Sequence, residues 1–141
     1  MATVEDVQRR IQKMLQQWLG KVEIDGDGDF VFAMDSTACF GRVADFGDGD
    51  IVFNAYAPVL VEVPITNELC KFIATEHYVL GNLWLDESDS GNTGTVFFQY
   101  RILANDLDES ELKMAVQIVA TTADDLDDKL QKRFGGKLLK S

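Results

Sequence analysis

The segment Asp25-Gly26-Asp27-Gly28-Asp29 has the alternating carboxylates of a calcium-binding loop. Calcium is held by several oxygen atoms that converge around a tight turn, and this spacing could supply them. The later positions do not fit, because an EF-hand in this register needs glycine where Phe30 stands and glutamate where Ser36 stands. A strand pattern also follows where a helix is required. The sequence therefore predicts a solvated hairpin turn, with no metal site and no cofactor.

Nucleophilic catalysis is the second chemistry that single residues suggest. Ser36, Cys39 and Cys70 could each attack a substrate, but the chain has one histidine, His77, and no activating motif surrounds any of them. The tripeptide Asp45-Phe46-Gly47 matches the magnesium-binding motif of protein kinases, yet the glycine-rich loop, strand lysine and catalytic loop of those enzymes are absent. We predict no catalytic residues and a protein that is not an enzyme.

Net charge and the distribution of apolar residues restrict the classes of partner and the location expected for the protein. The 141 residues carry a net charge of -11, which repels nucleic acids and anionic membrane surfaces. The sequence has neither a signal-peptide pattern nor an apolar run long enough to span a membrane, so we expect a cytoplasmic protein. Cys39 and Cys70 each lie in an apolar run, which predicts two buried, reduced thiols.

An acidic cluster lies near the end of the chain at Asp124, Asp127 and Asp128. On a helix these residues could form an acidic contact surface for a partner. An ordinary solvated face is the stronger interpretation, because Asp125 and Asp128 are each followed four residues later by lysine.

Hydrophobic periodicity organises these residues into an α+β domain. The strongest pattern is the final helix, where apolar residues recur at steps of three and four between Asp108 and Phe134. Asp108 and Glu111 predict a capping box at its start, and Gly135-Gly136 predicts its end. The predicted elements are helix 4–19, a hairpin or kinked strand over 21–34, strands 37–46 and 51–63, helix 67–77, a hairpin of strands 79–86 and 95–103, and helix 108–134.

This order, α-β-β-β-α-β-β-α, predicts an antiparallel β-sheet with flanking helices. Residues 1–136 are expected to form a single domain, followed by a short frayed tail over 137–141.

Large apolar residues also occur at strand positions that alternation assigns to the polar side of the sheet. If the strands are neighbours, Val43, Tyr56, Trp84 and Phe97 form an apolar patch that could bind a client or a second copy of the chain. The alternative is that helices cover both faces, in which case these residues are ordinary core.

The element order, the acidic balance and the small size resemble the class I type III secretion chaperones and the YbjN-like proteins. The likeness to the YbjN-like branch is carried by Ala123-Asp124-Asp125-Leu126-Asp127 and Lys132-Arg133-Phe134-Gly135-Gly136, and the resemblance extends over about residues 3–136. It implies a twisted antiparallel sheet with packed helices, a homodimer, and binding of an extended segment of a protein client without catalysis.

We therefore expect a chaperone-like or regulatory module that binds an extended client segment. The alternative is a small-molecule-binding or enzymatic α+β domain with its pocket between helix and sheet.

Overall fold

The computed structural model describes residues 3–139. It contains α1 (Val4–Leu19), β1 (Glu23–Ile24), β2 (Phe30–Met34), β3 (Thr37–Asp45), β4 (Ile51–Pro64), α2 (Asn67–Thr75), β5 (Asn82–Glu87), β6 (Thr93–Leu103) and α3 (Glu109–Phe134). The α+β class and the predicted order are confirmed, and the short β1 completes the hairpin that the aspartate-rich turn closes. Within the described residues, no helix combines the length and apolar character needed to cross a bilayer.

A capping box stands at the start of each of the two longer helices, and the one at α3 is as the sequence predicts. Thr3 and Asp6 form a capping box at the start of α1, and Asp108 and Glu111 form one at the start of α3. Each box satisfies backbone N–H groups that have no partner within the helix. Gly135 adopts a φ of +83° just after α3, a conformation that glycine reaches without steric strain.

The strands form one antiparallel sheet in the order β1-β2-β3-β4-β6-β5. Because side chains alternate along a strand, the pairing register separates them into two faces. The face that packs under α1 and α3 carries Phe53 at its centre, paired with Val43 on β3 and Ile102 on β6. Cys39 and Phe98 are also buried on this face, which therefore forms the main hydrophobic core.

Close packing at this core depends on the glycine at position 41. A Cβ atom added to Gly41 would lie 2.6 Å from the Phe53 ring, well inside van der Waals contact. The absence of a side chain therefore lets the Phe53 ring pack directly against β3 at this position. On the opposing helix, Leu112 and Leu130 are buried, whereas Leu126, which the helical pattern places mid-stripe, is only partly buried.

Strand β4 changes register beyond Pro58. The pairing with β6 shifts between Pro58 and Leu60 and again between Leu60 and Val63. The strict alternation of burial is lost there, and Pro58, Val59 and Leu60 are all buried. Bulges of this kind bend a strand without ending it, which explains how one strand extends from Ile51 to Pro64.

The prediction of a frayed tail from residue 137 is wrong for the part of the tail that the structure describes. Lys137 forms an antiparallel bridge with Val61, with N···O distances of 2.7 and 2.8 Å. Its ammonium group also lies 2.7 Å from the Glu62 carboxylate. These contacts hold Lys137 against the bulged end of β4, and Leu138 packs against the core. The predicted tail residues 140 and 141 lie outside the described residues.

Candidate client-binding groove

Four aromatic side chains form a continuous row across the sheet face opposite α1 and α3, which we call the open face. Tyr56 stacks on Phe40 with ring centroids 5.2 Å apart. Phe97 meets Tyr56 edge to face at 5.6 Å and Trp84 at 4.9 Å. Because the rings come from β3, β4, β6 and β5, this aromatic row extends over the four strands at the centre and one edge of the sheet.

The aromatic row borders a concave groove of about 810 Å³ on the open face. Three of the predicted patch residues, Tyr56, Trp84 and Phe97, line this open-face groove. Its other lining residues are Asp27, Arg42, Ala44, Phe46, Val52, Asn54, Asp86, Gln99, Arg101, Ile102 and Leu103. The concavity therefore lies on the open face and not between helix and sheet, where the small-molecule alternative would place a pocket.

Val43, the fourth predicted patch residue, lies on the other face of the sheet. It pairs with Phe53, is 8% exposed and belongs to the core under the helices. The prediction is wrong because residues 38–46 are apolar at alternate positions on both faces, so alternation alone does not identify the buried one. Phe40, which the sequence did not single out, occupies the open face instead. It lies two residues from the solvent-exposed Arg42, so the two side chains share a face, but this spacing does not decide whether helices cover that face.

Two amide side chains, Asn54 and Gln99, lie beside the aromatic row in the groove. The side-chain amide of Asn54 donates to Oε1 of Gln99 at 3.3 Å, and Gln99 is almost fully buried. The Asn54 Oδ1 atom is buried and has no hydrogen-bond partner among the described residues. A buried acceptor without a donor is unfavourable, but this atom is closed to solvent, so a donor from a bound molecule reaches it only if neighbouring side chains move.

The aspartate-rich turn supplies one wall of the groove. Asp25 Oδ1 accepts hydrogen bonds from the backbone N–H groups of Asp27 and Asp29, at 2.9 and 3.0 Å. The turn thereby places the Asp29 carboxylate, 2% exposed, beneath the open face. There it accepts a hydrogen bond from Arg42 Nε at 2.8 Å and a second one from the Tyr56 hydroxyl.

These contacts set the charge state of the groove wall. Burial and the hydrogen bond to Asp29 raise the pKa of Tyr56, so its phenol stays protonated and remains a donor. The hydrogen bond to Asp29 likewise raises the pKa of Arg42. The carboxylates at positions 25 and 29 are therefore occupied by internal donors, and no group of three or more metal-ligating side chains is found within residues 3–139.

The candidate nucleophiles lie outside the groove lining. Cys39 is buried in the core, where burial raises the pKa of its thiol to about 12 and disfavours the reactive thiolate. Cys70 lies exposed on α2, so the prediction of two buried thiols is wrong for this residue. Asp45 accepts a hydrogen bond from the Gly47 N–H at 2.8 Å and closes a turn, which explains the kinase-like tripeptide structurally.

The acidic cluster on α3 is only partly a surface feature. Asp124 and Asp128 are exposed, but Asp127 is 7% exposed and its Oδ1 accepts from the Asp128 N–H at 2.6 Å. Asp127 therefore does not contribute to an acidic contact surface as predicted. The helical period was a usable signal for this, because position 127 lies four residues after Ala123 and three before Leu130, on the buried stripe of α3.

A comparison with models of known protein families assigns the chain to one family. The model of a family described as T3SS (YopN, CesT) and YbjN peptide-binding chaperone 1 matches residues 5–140. The chain belongs to this family. The resemblance inferred from the sequence is confirmed, and a search of the curated proteins finds no match.

Solved structures share the fold of this chaperone family member. The Yersinia pestis type III secretion chaperone SycH, in complex with a stable fragment of YscM2, is 12% identical, with 88% of this chain and 99% of that chain covered and a TM-score of 0.57. YbjN from E. coli is 14% identical, with 93% and 94% covered and a TM-score of 0.61. At these identities the likeness concerns the fold.

Proposed function

We propose that this protein is a non-enzymatic, chaperone-like module that binds an extended segment of a protein client in the open-face groove. The observation that carries the proposal is the aromatic row on a sheet face that α1 and α3 leave uncovered. Aromatic side chains provide large contact areas at low entropic cost and dominate many binding interfaces. Membership of a peptide-binding chaperone family supports a peptide as the occupant.

The shape and chemistry of the groove suit a peptide better than a reacting substrate. Its lining combines apolar rings with the amides of Asn54 and Gln99, which match the donors and acceptors of a peptide backbone. The thiols of Cys39 and Cys70 and the imidazole of His77 are not among its lining residues. This supports binding without catalysis, and we place the protein in the cytoplasm as the sequence predicts.

A homodimer is also proposed, because the family resemblance implies one. Sedimentation equilibrium tests it directly by asking whether the protein has the mass of one 15.7 kDa chain or twice that mass.

Capture of a client by a paired set of variants tests the groove. Trp84→Ser combined with Phe97→Ser removes two rings of the aromatic row. A control variant, Val79→Ser with Met114→Ser, removes two apolar side chains that are 99% and 60% exposed and do not line the groove. Tagged proteins are used to capture partners from the native lysate, and a partner identified by mass spectrometry is then purified and titrated against each protein.

The groove variant should bind the purified client at least about tenfold more weakly, while the control binds as the parent does. Equal affinity for all three proteins would contradict the groove assignment. Co-purification of a stoichiometric metabolite instead of a protein would favour the small-molecule alternative. A circular-dichroism melt of each variant establishes that the fold is retained.

A further inference from the structure

A row of polar side chains crosses the open-face groove next to the aromatic row. Asn54 on β4 pairs directly with Arg42 on β3 and with Arg101 on β6, so the three side chains lie side by side. On the other side of this polar row, Val52 pairs with Ala44 and Leu103. The two arginines therefore lie within an otherwise largely apolar groove on a chain whose net charge is -11.

The two arginines differ in how their charge is compensated. Arg42 donates to the buried Asp29 carboxylate at 2.8 Å. Arg101 is exposed, and no carboxylate of the described residues lies within ion-pair distance of it. Asp86 also lines the groove but pairs with Thr95, six residues before Arg101 on β6. At about 3.3 Å per residue this is roughly 20 Å away.

The same row holds the buried Asn54 Oδ1 atom that has no donor within residues 3–139. Because this oxygen is closed to solvent and Arg42 is paired with Asp29, the accessible polar group of the row is the exposed Arg101, and a suitable occupant must bring an anionic group to it. In an extended peptide, an aspartate or glutamate side chain is the anion that guanidinium binds most directly. Single-stranded nucleic acid could also stack on aromatic rings, but its repeated phosphates are repelled by a chain of net charge -11.

We propose that the open-face groove selects client segments with one acidic side chain among apolar ones, whose carboxylate pairs with Arg101. The apolar residues of the segment contact the aromatic row on one side and Val52 and Leu103 on the other. This inference rests on the proposed function and specifies the client chemistry that the groove recognises.

Selection from a displayed library of random octapeptides tests the proposal without a known client. The full-length protein, Arg101→Glu and Arg101→Gln are each used as bait. Lys129→Glu is the control, since it makes the same charge change as Arg101→Glu at an exposed position on α3 outside the groove. Peptides that bind the full-length protein should be enriched in apolar residues with one aspartate or glutamate. Arg101→Glu should lose that preference in favour of lysine or arginine, and Lys129→Glu should keep it.

One selected peptide and its glutamate-to-glutamine partner then measure the contact directly. The full-length protein should bind the glutamate peptide about tenfold more tightly by fluorescence anisotropy, and Arg101→Gln should bind the two peptides equally. These two peptides test the inference even if Arg101→Glu does not fold, because Arg101→Gln removes the charge but keeps a polar side chain at this exposed position.

The outcomes separate this inference from the proposed function. Apolar peptides without acidic enrichment, or acidic enrichment that Arg101→Glu leaves unchanged or Lys129→Glu also removes, would overturn the inference and leave the proposed function intact. Selection of no peptide would overturn both. Arg101-dependent binding of labelled oligo(dT) would overturn the assignment of a peptide as occupant.

Discussion

The hydroxyl group of Tyr56 donates a hydrogen bond to Oδ2 of Asp29, and this bond joins the aromatic row to the turn before β2. Asp29 is almost fully buried, so its carboxylate depends on Tyr56 and Arg42 for the hydrogen bonds that water would otherwise supply. The aspartate-rich segment that suggests a calcium loop in the sequence thus acts as a support for the groove wall.

Replacement of Tyr56 by phenylalanine should destabilise the protein by about 1–3 kcal/mol, because it leaves a buried carboxylate oxygen without its donor while keeping the ring. Urea denaturation measures the change. Tyr100→Phe is the matched control, since the Tyr100 side chain is partly buried and no hydrogen bond from its hydroxyl is found within residues 3–139. Equal stability of the two variants would contradict a structural role for the Tyr56–Asp29 bond.

Leu112→Ala should lower the free energy of unfolding by about 2–5 kcal/mol, because Leu112 is fully buried between α3 and the sheet. Leu126→Ala should cost less, since this side chain is only partly buried. Met114→Ala, at a position that is 60% exposed, serves as the control for helix propensity. If Leu126→Ala proved as costly as Leu112→Ala, the burial described for α3 would be incorrect.

Stability should fall as pH rises above about 9, partly because of Cys39. Burial raises the pKa of its thiol from 9.0 to about 12, so between these values the unfolded chain releases a proton that the folded chain retains. This single group should remove about 1.4 kcal/mol of stability per pH unit within that window. Denaturation midpoints at pH 8, 9 and 10 test this, and Cys39→Ala should show a shallower decline than Cys70→Ala, in which the exposed thiol is removed instead.

Gly136→Ala should destabilise the protein more than Gly20→Ala does. Both glycines have a positive φ, +82° and +84°, where an added side chain costs about 1–2 kcal/mol. At Gly136 the new Cβ would also lie 3.0 Å from Val61 O and from Val63 Cβ, whereas at Gly20 nothing lies within 4 Å. Thermal denaturation of the two variants isolates the steric contribution, and equal melting temperatures would show that residues 137–139 do not depend on this close approach.

The melting temperature should be the same with EDTA and with added calcium. Asp25 Oδ1 already accepts two backbone hydrogen bonds, and the Asp29 carboxylate is held by Arg42 and Tyr56, so calcium would have to displace internal donors. Differential scanning calorimetry provides the measurement. A drop of several degrees with EDTA that calcium reverses would indicate that the turn binds metal.

Local chemistry in the sequence was sufficient to predict the elements and their order. The bounds of α1 match residues 4–19, and the capping box of Asp108 and Glu111 marks the start of α3, because caps and helical periodicity depend on residues within a few positions of each other. Three groove residues, Tyr56, Trp84 and Phe97, were also predicted, since their strands alternate clearly between apolar and polar positions.

Only the tertiary structure decided which face of β3 is buried and which side chains meet across the sheet. Val43 and Phe40 are both apolar and lie within two residues of Arg42, and the pairing with β4 alone places Val43 against Phe53 and Phe40 against Tyr56. The same holds for Asp29 and Arg42, thirteen residues apart. Such contacts depend on strand register and on helix packing between distant segments, and the local sequence does not encode either of these.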